Sequence, residues 1–206
     1  MKTEIKCRLI TWGERLFRIR SYTPIPLFLF MFFCFWWEWE NNFMVWFCGL
    51  FFVICGESIR LWSLRYMGRF SRTSRKRKAK TLITNGPYNL VRNPLYGGNL
   101  FILIGITILS ELLWLIPIVV LLFFLQYYCI VLWEEEMLRS NFPKETKQYF
   151  NSVPRWLPTW DSVRRYIRQT SGPAYPWLNI FRRERSTLLG LYCMATVMIL
   201  KEVLLE

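Results

Sequence analysis

Two short stretches hold side chains suited to chemistry: "RNPLYGGN" at residues 92–99 and "WEEEML" at residues 133–138. An arginine guanidinium offers a planar fork of donors that matches a carboxylate or phosphate. Clustered glutamates attract a cation. Glu134, Glu135 and Glu136 stand where an apolar run ends. If that run is a helix, its dipole disfavours negative charge there by a few tenths of a kcal/mol each. In the first stretch, Asn93 is a favoured N-cap and Pro94 fits the first helical position, whose N–H has no helical partner. "GPY" at 86–88 reads as a turn feeding that start. Gly97 and Gly98 each lower helix stability by about 1 kcal/mol relative to alanine. Two readings of them stand open. One is close helix–helix packing, with Gly98 and Gly105 on one face; the other is a notch where a ligand approaches the backbone.

The elements that position these stretches follow from the apolar patterning. Hydrophobic residues make up 53% of the 206, with 11 Trp and 17 Phe, too many for an ordinary soluble surface. Charge-free stretches run over 21–37, 41–56, 93–110 and 112–133. A membrane span takes roughly 20 mostly apolar residues. The second stretch reaches that length if Glu57 and Arg60, one helical turn apart, pair. A fifth candidate, 186–200, ends at Lys201, which can extend outward. The expected fold is an all-α polytopic membrane protein of about five spans, forming one domain over 1–206. Only Ser110 and Glu111 separate the third and fourth runs, which predicts a tight helical hairpin. Its open ends then bring the two motifs together, about 40 residues apart in sequence.

Charge placement sets the expected topology. Basic residues crowd before the first run and again over 69–80, while the connections at 38–40 and 111 carry only acids. The positive-inside rule puts the N-terminus and both basic segments, hence the paired motifs, in the cytoplasm. No small-residue cleavage site follows the first apolar run, so that run is expected to remain as a span. The basic run "GRFSRTSRKRKAK" reads as a topology determinant touching anionic lipid heads, and no nucleic-acid partner is expected. The six cysteines form no CxxC pair and histidine is absent, so no metal site is expected.

Paired acids at the unfavourable helix end, beside a glycine pair and under a basic connector, describe a place for a cation. S-adenosylmethionine carries an ammonium and a sulfonium, and its adenine needs an apolar slot. At this point the residues resemble a known family. "GPYNLVRNPLYGGN" (86–99), "EEEMLRSNF" (134–142) and "VPRWLP" (153–158) are similar to the isoprenylcysteine carboxyl methyltransferases and the related membrane phospholipid methyltransferases. "GESIRLWSLRYMG" (56–68) resembles the helix preceding those blocks, so the likeness covers a core of 56–158, with 159–206 as an extension.

The resemblance implies methyl transfer from S-adenosylmethionine to a membrane-embedded lipid or lipid-like substrate. Carried over, the cofactor rests against Asn93, Pro94, Leu95, Tyr96 and Gly98, with Glu134 and Glu135 near its amino group. Arg92 and Arg155 are the expected catalytic residues. Departures from the family pattern are Asn93 for histidine, Pro143 for glycine and Thr146 for the first tyrosine, while Tyr149 is kept. An anionic oxygen, carboxylate or phosphate, is already ionised at neutral pH and needs no histidine base. The alternatives are N-methylation of an aminophospholipid and a non-catalytic lipid-binding scaffold. A thiol reagent confined to the cytoplasmic side should label Cys7, and a C-terminal reporter should lie outside. A cytoplasmic reporter would remove the fifth span.

Overall fold

The computed structural model describes residues 2–34, 42–67, 82–168 and 174–205. The basic run over 69–80 and the acids at 38–40 lie outside them. Every regular element among the described residues is helical. In order these are α1 (Lys2–Ile19), α2 (Ile25–Phe33), α3 (Asn42–Met67), α4 (Pro87–Leu90) and α5 (Pro94–Leu109). After a 3-10 turn at Leu113–Leu115 come α6 (Ile116–Asn141), α7 (Pro143–Ser152), α8 (Trp160–Arg168) and α9 (Trp177–Leu205).

Two stretches, Phe43–Met67 and Leu113–Asn141, are long and apolar enough to cross a membrane. Their outer faces are greasy: Phe43, Phe47 and Ile54 on α3 and Leu121 and Leu125 on α6 are exposed. Helices apolar all round belong in lipid or in a core. α5 is shorter, with 16 residues spanning about 24 Å. The first apolar run yields only the nine residues of α2, about 14 Å of an approximately 30 Å hydrocarbon layer. Pro24 sits at its N-cap, and neither Pro24 nor Pro26 can donate a helical hydrogen bond, so the helix starts late. The fifth candidate lies inside α9.

The most extensive packing joins α3 to α5 through four glycines, two on each helix and seven residues apart. A Cβ on Gly56 would stand 2.6 Å from the Gly98 carbonyl oxygen, and one on Gly98 would stand 2.7 Å from that of Gly56. Gly105 meets the Gly49 carbonyl oxygen at 2.8 Å in the same sense. Seven residues are nearly two helical turns, so each pair repeats along one face. Of the two readings of Gly98, the structure displays close packing. Gly97 faces open space.

α1 runs antiparallel along α6. Lys6 Nζ lies 3.5 Å from Glu136 Oε2 at one end, and Gln126 Nε2 donates to Thr23 Oγ1 at 2.9 Å near the other. Between them Gly13 admits α6 closely, since a Cβ there would lie 2.8 Å from Trp133 Cβ. α9 is tied to α3 by Arg60 and Glu184, 3.1 Å apart, and by Arg65 with the Tyr175 backbone. Met31, Ile102, Ile106, Leu112, Leu115 and Val119 form an apolar core between α2, α5 and α6.

Gly98→Leu and Gly56→Leu should each push α3 and α5 apart, at a cost of about 1–3 kcal/mol or more. Gly97→Ala should be neutral or stabilise by up to about 1 kcal/mol. Thermal unfolding of the purified protein in detergent reads both. Equal midpoints for Gly98→Leu and wild type would remove the seam from its structural role.

Candidate active site

Gly86 opens the site locally. Its φ of +61° suits glycine, and a Cβ would meet the Tyr66 ring at 2.6 Å. The chain then makes the single turn of α4, extends at Val91, and enters α5. Asn93 occupies the N-cap and Pro94 the first turn, as the sequence predicts. The Asn93 side chain makes no capping bond, however. Its Nδ2 donates instead to the Arg155 carbonyl oxygen at 3.1 Å. Beside it, the Arg92 N–H donates to the Pro154 carbonyl oxygen at 2.8 Å. "VPR" is thereby laced to "RNP" through the backbone.

α5 and α6 reverse through Ser110–Leu112, where Glu111 takes a left-handed φ of 63°. The two motifs do become neighbours. Glu135, buried on α6, receives Arg92 Nη1 at 2.8 Å on Oε1. It also receives Arg155 Nε at 2.9 Å on Oε1 and Arg155 Nη2 at 2.7 Å on Oε2. Two guanidiniums against one carboxylate leave a surplus positive charge, to which Arg139 adds from 3.9 Å. Burial pulls the Arg92 guanidinium below the usual arginine value against the pull of Glu135. The hydrogen bonds to Glu135 hold Arg155 above that value. Arg92 also lies 4.6 Å over the Phe150 ring.

Glu134 has a different environment. Its Oε1 accepts from the Tyr96 hydroxyl at 2.9 Å. Tyr96 packs against Tyr127, ring centroids 4.6 Å apart, and Asn99 Nδ2 donates to the Tyr127 hydroxyl at 3.4 Å. From α7, the Tyr149 hydroxyl donates to the Tyr88 carbonyl oxygen at 2.6 Å. Burial raises the Tyr88 and Tyr149 phenols above their ordinary value, so both stay protonated near neutrality. Thr146, in place of the family's tyrosine, is buried and donates to the Leu138 carbonyl oxygen at 3.2 Å.

A cavity of about 800 Å³ opens beside this junction. Of the residues expected at the site, Leu95 and Tyr96 line it. Gly98 faces α3, and Arg92, Glu135 and Arg155 are engaged with one another. Residues that the sequence did not single out join the wall: Arg20, Asn99, Gln126, Tyr127 and Glu184. Arg60 was expected to pair with Glu57, and its Nε lies 3.5 Å from Glu57 Oε2. It faces the cavity as well and reaches Glu184.

A helical bundle with two helices long and apolar enough to cross a membrane brings "GPY…RNP", "EE" and "VPR" together beside a largely apolar cavity. The chain belongs to the phospholipid methyltransferase family, whose model matches residues 43–145. It is 35% identical over 99 residues to the cobalt-zinc-cadmium resistance protein CzcN of Cupriavidus metallidurans, covering 48% of this chain and 42% of that protein. It is 33% identical over 99 residues to the nickel-cobalt-cadmium resistance protein NccN of Alcaligenes xylosoxydans xylosoxydans, covering 48% and 43%. The matched stretch thus spans less than half the length of either relative. No solved structure matches.

Removing the Glu135 charge strands two arginines at the junction. Glu135→Gln should cost about 3–5 kcal/mol, the usual penalty for breaking a buried ion pair. Glu134→Gln should cost far less, because an amide oxygen still accepts from Tyr96. Detergent unfolding of both variants measures the difference; equal losses would show that the Arg92–Glu135–Arg155 cluster is not a structural clamp.

Proposed function

We propose that this chain transfers a methyl group from S-adenosylmethionine to an anionic oxygen of a membrane-embedded lipid or lipid-like substrate. The observation that carries the reading is the junction of Glu134–Tyr96 with Arg92–Glu135–Arg155, whose Tyr96 reaches the cavity wall, in a chain of the phospholipid methyltransferase family. The residues present fit the cofactor. A carboxylate accepts a cation, an apolar wall accepts a purine, and about 800 Å³ falls in the range of ligand pockets.

When bound, S-adenosylmethionine supplies an electrophilic methyl group on a sulfonium. Glu134, oriented by Tyr96, would hold the ammonium through the carboxylate oxygen that has no partner among the described residues. Both Glu135 oxygens are taken by arginine, and its part is to hold the helix mouth of Asn93, Pro94 and Leu95 against α6. Arg92 and Arg155 place surplus positive charge where an anionic nucleophile approaches. In-line displacement asks the protein mainly for alignment and exclusion of water. A carboxylate or phosphate nucleophile arrives ionised, which suits a chain without histidine.

In this reading the site is cytoplasmic and the chain multi-pass. The metal resistance in the relatives' names is not carried over.

Membranes containing the protein, incubated with methyl-labelled S-adenosylmethionine, should yield labelled lipid. Mild alkali should release labelled methanol from a carboxyl methyl ester, while a phosphate methyl diester largely resists. Label in a methylated ethanolamine headgroup would overturn the anionic-oxygen reading.

A further inference from the structure

The cavity wall carries two arginines with opposite circumstances. Arg60 is compensated by Glu57 and Glu184. Arg20, in the turn between α1 and α2, has no carboxylate within ion-pair distance among the described residues. Its Nη1 is shut off from solvent and makes no hydrogen bond there, yet the residue lines the cavity. Its guanidinium lies 3.7 Å over the Phe17 ring, which fixes its plane. A buried donor left unsatisfied is destabilising, the more so when charged. A fully solvated topology residue would not carry that cost.

The surroundings complete an amphiphile's outline. Ser21, Thr23 and Gln126 add polar groups near Arg20, and the cavity continues between Leu27, Ile106, Val119 and Met194. A polar, cationic end that runs on into an apolar stretch matches a single-chain anion. Arg20 and Tyr96, whose hydroxyl donates to Glu134, line the same cavity. An anion held by Arg20 therefore shares that cavity with the place argued for the cofactor.

We propose that Arg20 is the headgroup anchor of the substrate, binding its carboxylate or phosphate through the part of its guanidinium that reaches the cavity while the apolar chain occupies the cavity. This rests on the methyltransferase reading for its meaning in catalysis, and not for the binding itself. Arg20 lies outside the stretch that matches the family, so the anchor belongs to this chain's own N-terminal segment.

Decyl phosphate, decanoate and decyltrimethylammonium serve as probes on the full-length protein in phosphatidylcholine nanodiscs, followed by tryptophan fluorescence. Wild type should bind the anions and not the cation, and the stronger anion indicates which oxygen acid the anchor prefers. Arg20→Gln should weaken anion binding by about ten-fold or more, the worth of a charged hydrogen bond. Arg20→Lys should recover part of it. Should Arg20→Gln not fold, Leu27→Trp, which fills the apolar end, should also lower anion binding. Anion affinity equal to wild type in Arg20→Gln, or in both Arg20→Lys and Leu27→Trp, overturns the anchor.

With labelled cofactor, Arg20→Gln should raise KM for the lipid more than it lowers kcat. Unchanged KM alongside active methyl transfer overturns the anchor and leaves the methyltransferase reading standing. Arg20-dependent anion binding without any methyl transfer does the reverse.

Discussion

A single carboxylate holds the junction together. Glu135 projects from α6 and takes hydrogen bonds from Arg92, just before α5, and from Arg155, just after α7. Three segments far apart in sequence converge on two oxygen atoms. In a protein interior such an ion pair contributes less to stability than to uniqueness of arrangement, since desolvation offsets much of the attraction. Here its geometry fixes which face of α5 looks toward α6, and so places Tyr96 against Glu134. The backbone bond from Arg92 to Pro154 and the side-chain bond from Asn93 to Arg155 run parallel to it. Asn93 therefore contributes a positioning bond of its own.

The second constraint is steric. Where α3 and α5 cross, backbone touches backbone, and the glycines leave no room for even a methyl group. Because Arg60 leaves α3 one turn past Gly56, this close approach also sets where its guanidinium enters the cavity wall. Packing and site geometry are thus coupled through Gly98, whose Cβ would meet Arg60 Cγ at 2.7 Å.

Much of this was legible in the residues. The two-residue break at Ser110–Glu111 predicts the hairpin, and the hairpin predicts that "RNPLYGGN" meets "WEEEML"; the Tyr96–Glu134 and Arg92–Glu135 bonds realise it. The partner of Gly98 was also readable, in principle, from the matching seven-residue spacing of Gly49 and Gly56. The shortness of α2 was signalled by Pro24 and Pro26, but an apolar count passes over them. Other features depend on contacts between distant segments and leave no local mark. Asn93 has the composition of a cap, and only the arrival of Arg155 diverts its amide. Glu184 reads as one acid in a basic stretch until α9 lies beside Arg60. Arg20 reads as one of many N-terminal cations until the fold closes over it.

The cavity is built from unequal contributions. The stretch that matches the family supplies Leu95, Tyr96, Asn99 and Tyr127, while Arg20 to Phe28 and Glu184 to Met194 come from the two flanks. The hollow is accordingly cast from three separated parts of the chain, two of them outside the matched middle. A change in either flank recasts the mould and leaves that middle untouched.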